Sequence, residues 1–267
     1  MKSTIFLSIC IVVSFFLASN ADPFPKFLQG DWDAFALLIE APLAQAQALL
    51  APGLELKPQN FTAKGTHPLL LLLSNQTDVR TTPPIIDIPQ YYEFILVVPW
   101  LVRTGDASQK IYGTSIVLYL DDVLAIVGGN IGWSIPKVYE RVSWQDGVFE
   151  IKRLFSGNII MNFTYQQLSD DFKPYRAYPN LDVFQQLMSS ELIQPFELVS
   201  GKFECFTYNF QMKQATFVPV SGVLNVVQEY VENVPLGQFK FQPITSSPLG
   251  AFRMKTHWFL SAPFNFC

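Results

Sequence analysis

Residues 148–165 read V-F-E-I-K-R-L-F-S-G-N-I-I-M-N-F-T-Y. Phe149 and Ile151 alternate with Glu150 and Lys152, the period of a strand with one apolar and one wetted face. Ser156-Gly157-Asn158 supplies turn formers before a second apolar and aromatic run ending at Tyr165, so the stretch predicts a β-hairpin. Similar runs lie outward from it at 67–73, 91–98, 113–120 and 123–127, and a further strand-rich series spans 196–218. They are punctuated by Thr104-Gly105-Asp106, Asp121-Asp122 and Gln145-Asp146-Gly147. One helix is legible over Ala41–Leu50, with Pro42 in its first turn, Pro52-Gly53 after its end, and Leu43, Leu49 and Leu50 toward the core. Residues 170–180, rich in charge and proline, suit a crossing between two halves of one domain. Short strands with few helices predict an α+β fold, mainly antiparallel, its sheet closed into a barrel or sandwich with helices at the periphery.

A chain of 267 residues, 49% hydrophobic and 15% charged, is near the upper size for one core. Its first stretch belongs elsewhere. Lys2, an apolar run from Ile5 to Leu17, and Ser19-Asn20-Ala21 read as a secretory signal peptide over residues 1–21, leaving a single domain over 22–267. The apolar run is shorter than the roughly 20 residues of a spanning helix, so a protein free of the membrane after cleavage, secreted or in the secretory pathway, is expected. Cleavage removes one of the 18 basic residues and none of the 22 acidic ones. The remainder is acidic and without a basic cluster, which argues against nucleic acid as a partner. Cys10 leaves with the signal, and Cys205 and Cys267 form an even pair in an oxidising compartment, where a disulfide is expected and two buried thiols are the alternative. Three sequons, at Asn60, Asn75 and Asn162, suggest a glycoprotein with surface acceptors.

Metal catalysis is poorly supplied: His67 and His257 stand in unrelated contexts, and His67 before Pro68 reads as structural. No G-x-S-x-G, Walker or G-x-G-x-x-G pattern occurs, so no metal and no cofactor is expected. Attention falls on Lys137, which follows Pro136 in an apolar setting of Trp133, Ile135 and Val138. It is either a solvated tether or an amine whose pKa desolvation depresses. A shift from about 10.4 to about 7 disfavours the charge by roughly 4 to 5 kcal/mol.

Tyr119-Leu120-Asp121-Asp122, Ala125-Ile126, Gly129, Trp133 and Pro136-Lys137 together resemble the acetoacetate decarboxylase family, with its Y-L-D, A-I and G-R-E-x-W-G-x-P-K signature. Tyr91-Tyr92-Glu93 followed by Pro99 is similar to the family segment that carries an active-site glutamate. Looser likeness runs from Pro179-Asn180 through Glu197-Leu198 to Pro235-Leu236. The resemblance implies a closed, mainly antiparallel barrel around an apolar cavity. It also implies that Lys137 forms a Schiff base with a keto compound, the iminium accepting the electrons released as carbon dioxide departs. Glu93 would be the acid that protonates the enamine. Trp133, Ile135, Asn130 and Tyr91 would line the substrate pocket.

The chain departs from the family pattern at Val138, where members often carry a second lysine, and at Asn130-Ile131, where they carry Arg-Glu. A family arginine also finds no counterpart between Phe27 and Phe35, where Asp31 and Asp33 stand. Fewer cations for a substrate carboxylate favour a less polar carbonyl compound, and with an aldehyde the same iminium would support aldol condensation and dehydration. For Glu93 the plain alternative is an edge-strand side chain facing water. For the whole chain it is a non-catalytic secreted protein whose cavity binds a small apolar ligand. The sequence leaves the oligomeric state open, a homo-oligomer included.

Overall fold

Five consecutive leucines, Leu69 to Leu73, are all buried, which an alternating strand achieves only when both of its faces are covered. The computed structural model shows how. It describes residues 26–82, 87–126, 133–178, 180–196, 202–229, 231–247, 249–261 and 266–267. In chain order these form β1 (Lys26–Pro42), α1 (Leu43–Ala48), β2 (Leu54–Leu56), β3 (Thr66–Thr81), β4 (Asp87–Arg103), β5 (Tyr112–Leu120), β6 (Lys137–Tyr139), β7 (Arg141–Gln145), β8 (Val148–Lys152) and β9 (Ile159–Gln167). There follow β10 (Lys173–Pro174), α2 (Leu181–Met188), β11 (Glu191–Pro195), β12 (Phe203–Phe206), β13 (Tyr208–Phe210), β14 (Thr216–Val226), β15 (Gly237–Phe241) and β16 (Phe252–Ser261).

The strands belong to one sheet whose main path runs β12-β11-β5-β4-β3-β1-β16-β14-β9-β8-β7. Its pairs are antiparallel except β5 with β6 and β5 with β11. Alternation along the long central strands sorts their side chains into two cores. Phe35 and Leu37 of β1, Leu71 and Leu73 of β3, and Phe94 and Leu96 of β4 meet Phe149, Phe163 and Phe241 from the opposite half of the sheet. Aromatic contacts knit that first core, with Phe35 5.3 Å from Phe163 and 4.7 Å from Trp144 between ring centres. The second core holds the other parity: Trp32, Ala34, Leu70, Leu72, Tyr91, Leu118, Leu120, Met254 and Trp258. Phe184 and Leu187 of α2 cover part of it, and Tyr208 and Phe210 of β13 pack on it.

The hairpin expected over 148–165 forms as β8 and β9, with Gly157 at φ +70° in its turn. The barrel does not close. Among the described residues β7 and β12 end the path, because the far edge of β5 is shared between two short parallel partners, β11 at Tyr112–Gly113 and β6 at Leu118–Leu120. The apolar run expected as a strand over 123–127 is helical over 123–126, where the Asp122 carboxylate accepts the Ala125 N–H at 2.8 Å and nucleates a turn. In α1 it is Ala46 that is buried while Leu43 is exposed; Leu49 and Leu50, just beyond the helix, pack on the first core. His67 is structural as expected: it is fully buried, and its Nε2 lies 2.8 Å from the Pro99 carbonyl, to which it donates. Desolvation holds its pKa below the ordinary histidine value. Residues 1–21 lie outside the described residues, and no helix among those described is long and apolar enough to cross a membrane.

Cys205 of β12 is bridged to Cys267, 62 positions further along the chain, with Cα atoms 5.7 Å apart. Closing a loop of that size restricts the unfolded chain and is worth about 2–4 kcal/mol. Cys267→Ser, at an exposed position, should therefore lower the urea midpoint of unfolding, and a thiol reductant should lower the wild type to match. A wild-type midpoint indifferent to reductant would contradict this.

Candidate active site

Lys137 opens β6 and lies opposite Leu118 of β5, on the parity of the second core. The segment before it is fastened at three points. The Trp133 indole N–H donates to the Ser261 carbonyl at 2.9 Å, the Ser134 hydroxyl donates to Glu204 at 3.0 Å, and the Pro136 carbonyl accepts from Leu118 N–H at 2.9 Å. Trp133 and Ile135 are buried in that core. Lys137 itself is half-buried, and its Nζ donates to the Ala125 carbonyl at 3.0 Å.

Glu93 is 1% exposed, in the central strand β4, paired with Ser74 on one side and Leu120 on the other. The alternative of an edge glutamate facing water is excluded by that position. Burial raises its pKa to about 6, against the opposing pull of Lys137 and of a hydrogen bond from Gln76. For Lys137 desolvation is the largest influence and lowers the pKa, although the carboxylates of Glu93 and Asp122 both act to raise it. Loss of water thus outweighs two opposite charges. Ionised carboxylate and ammonium groups lose several kcal/mol each on leaving water, and in such a setting the uncharged forms of both partners gain.

Tyr91 is buried beside this pair, and burial pushes its hydroxyl well above the usual phenol range, with Glu93 adding to the shift. Of the residues expected from sequence, the fold brings Lys137, Glu93, Tyr91, Trp133 and Ile135 to one face of the sheet; Asn130 lies outside the described residues. Sequence reading missed four neighbours. Gln76 donates to Glu93 Oε1 at 3.0 Å, and Trp258 donates to Gln76 Oε1 at 2.7 Å. Tyr208 is pushed well above the usual phenol range by burial, with the charge of Glu93 adding to the shift and Gln76 opposing it. Asp122 acts on Lys137 while capping the turn whose carbonyl holds Nζ. A signal for Gln76 existed, since it follows Leu70, Leu72 and Ser74 on one parity of a strand.

By sequence the chain matches no protein-family model and none of the curated proteins compared with it. By structure it is similar to acetoacetate decarboxylase, with a TM-score of 0.58 and 11% identity over 92% of this chain and 94% of the other. The acetoacetate decarboxylase of Legionella pneumophila subsp. pneumophila aligns at 14% identity and a TM-score of 0.55, over 96% and 95% of the two chains. The enduracididine biosynthesis enzyme MppR complexed with pyruvate aligns at 12% and 0.55, over 92% and 91%. The chain therefore has the acetoacetate decarboxylase fold.

The Glu93 shift fixes a pH dependence. Between 4.5, its ordinary value, and about 6, the folded protein keeps a proton that the unfolded chain has released. Stability attributable to this group is thus complete below 4.5 and falls by about 2 kcal/mol as pH rises through the window. Urea unfolding of wild type and Glu93→Gln from pH 4 to 8 should show Glu93→Gln gaining on the wild type by that amount; parallel curves would mean that Glu93 titrates like a solvated acid.

Proposed function

We propose that this protein is a Schiff-base-forming lyase acting on a keto acid or a related carbonyl compound, with Lys137 as nucleophile and Glu93 as proton donor. One observation carries the reading: the registers on β5 set Lys137 and the buried Glu93 on one face of the sheet, where loss of water works against the lysine's charge. The fold shared with acetoacetate decarboxylase supports it.

Lysine and glutamate together reach the same total charge in two ways, as ammonium with carboxylate or as amine with carboxylic acid. The second arrangement is the reactive one. The amine attacks the substrate carbonyl carbon, the carbinolamine hydroxyl takes up a proton from solvent and leaves as water, and an iminium forms. Cleavage of the adjacent carbon–carbon bond sends its electron pair into the iminium, giving an enamine and releasing carbon dioxide or an aldehyde. Glu93 delivers a proton to the enamine carbon, and hydrolysis of the iminium returns the amine and a carbonyl product. The imine is its own electron sink, so the sequence needs no cofactor. Run backward with an aldehyde as second reactant, it is an aldol condensation. Asp122 favours the cationic iminium and repels an anionic substrate by the same charge, so an uncharged carbonyl compound suits the site better than a keto acid.

The disulfide supports folding in an oxidising compartment, which agrees with a secretory role for residues 1–21. Of the three sequons, Asn60 is exposed, whereas Asn75 and Asn162 are half-buried on strands; a glycan is best accommodated at Asn60.

Borohydride reduction in the presence of phenylacetone, pyruvate or acetoacetate, followed by peptide mass spectrometry, tests the proposal. A reduced adduct on Lys137 is expected, strongest with phenylacetone and absent in Lys137→Arg. Absence of any adduct, with Lys137 acylated only at high pH, would leave a non-catalytic protein that binds a small apolar ligand.

A further inference from the structure

Gln76 is fully buried between two groups whose hydrogen-bonding abilities differ. On one side is Trp258, 1% exposed, whose indole nitrogen can only donate. The amide atom that faces it at 2.7 Å must therefore be the oxygen, Oε1. On the other side is Glu93, whose Oε1 lies 3.0 Å from the Gln76 nitrogen. An amide can ordinarily turn end for end, exchanging donor for acceptor. Here a turn would set two donors, the indole N–H and the amide NH2, against each other at a position closed to bulk solvent, leaving both without an acceptor there.

We propose that Gln76, held one way round by Trp258, is the positioning residue that leaves Glu93 a single oxygen, Oε2, from which to give or take a proton. An NH2 group cannot accept, so a proton placed on Oε1 would lose the bond to Gln76 and point at a donor. The neutral acid keeps its proton on Oε2, and the ionised acid is stabilised at Oε1. Tyr208 belongs to the same cluster: burial holds its hydroxyl well above the usual phenol range, the charge of Glu93 adds to the shift, and Gln76 acts against it. The weaker approach of Gln76 Nε2 to the Ser74 hydroxyl, at 3.4 Å, adds little. The relay thus runs from the Trp258 indole through one amide to the carboxyl that acts with Lys137. It rests on the reading of Glu93 as the proton donor for its catalytic meaning, though not for its test.

The test is a carbon-13 NMR titration of the Glu93 carboxyl in the full chain, assigned by its loss in Glu93→Gln. Gln76→Leu removes a donor to the carboxylate and should raise the midpoint by about one pH unit. Trp258→Phe leaves the amide in place and free to turn, so that its carbonyl can accept from the neutral acid; the midpoint should rise here as well. Ser74→Ala should leave it within about 0.3 units. In the unaltered protein the Gln76 side-chain amide nitrogen should titrate with the Glu93 midpoint, a measurement that stands if a variant fails to fold. A midpoint raised in Gln76→Leu but unmoved in Trp258→Phe would overturn the lock. An amide signal blind to Glu93 would overturn the contact altogether. None of these readouts uses a substrate, so they can succeed or fail independently of imine trapping at Lys137. If trapping succeeds, the pH limb of imine turnover assigned to Glu93 should move in Trp258→Phe by the same amount as the titration midpoint.

Discussion

A sheet covered on both faces leaves its inward polar side chains little access to water, and the shifted titrations of Lys137 and Glu93 follow from that. The second core would be an ordinary packing of Trp, Leu and Met side chains were it not for Glu93, Gln76, Ser74 and Lys137 on the same parity. Each must find its partner inside. Because loss of water weighs more on Lys137 than the attraction of Glu93 and Asp122, the fold works against charge on both members of the pair, lowering the pKa of the lysine and raising that of the glutamate. Such shifts need no special residue type; they come from withholding solvent from common ones.

What was legible in the sequence divides along physical lines. The 148–165 hairpin follows from a single alternating face, and its turn from glycine chemistry. β1 offers no such signal over Ala34–Ala41, because both parities there are buried and every residue but Glu40 is apolar. β16 does alternate, with Phe252, Met254, Thr256, Trp258 and Leu260 inward, and obeys the same rule as the hairpin, although it lies beyond the strand series expected from sequence. Closure of the sheet was not legible at all. It turns on which strands take the last edge of β5, and parallel partners leave no tight turn between them to read.

The site divides in the same way. Lys137 and Glu93 sit in short motifs and were found by them. Gln76, Tyr208 and Trp258 are far apart in the chain and meet only through the registers that set Gln76 opposite Trp32 and Tyr91, and Phe210 opposite Trp258. A glutamine between indole and carboxyl has no sequence signature, because its role is defined by which end of an amide faces which neighbour.

An open path has two ends, and the outer edge of a terminal strand offers backbone groups on which another chain could build. At the β12 end the answer is covalent. The bridge from Cys205 brings the last residues alongside, where Cys267 N–H donates to the Phe203 carbonyl at 3.2 Å and Phe266 pairs with Glu204. The tail thus occupies the edge that a neighbouring molecule would otherwise extend. In that light the disulfide is as much a guard against self-association into growing sheets as a brace for the folded chain.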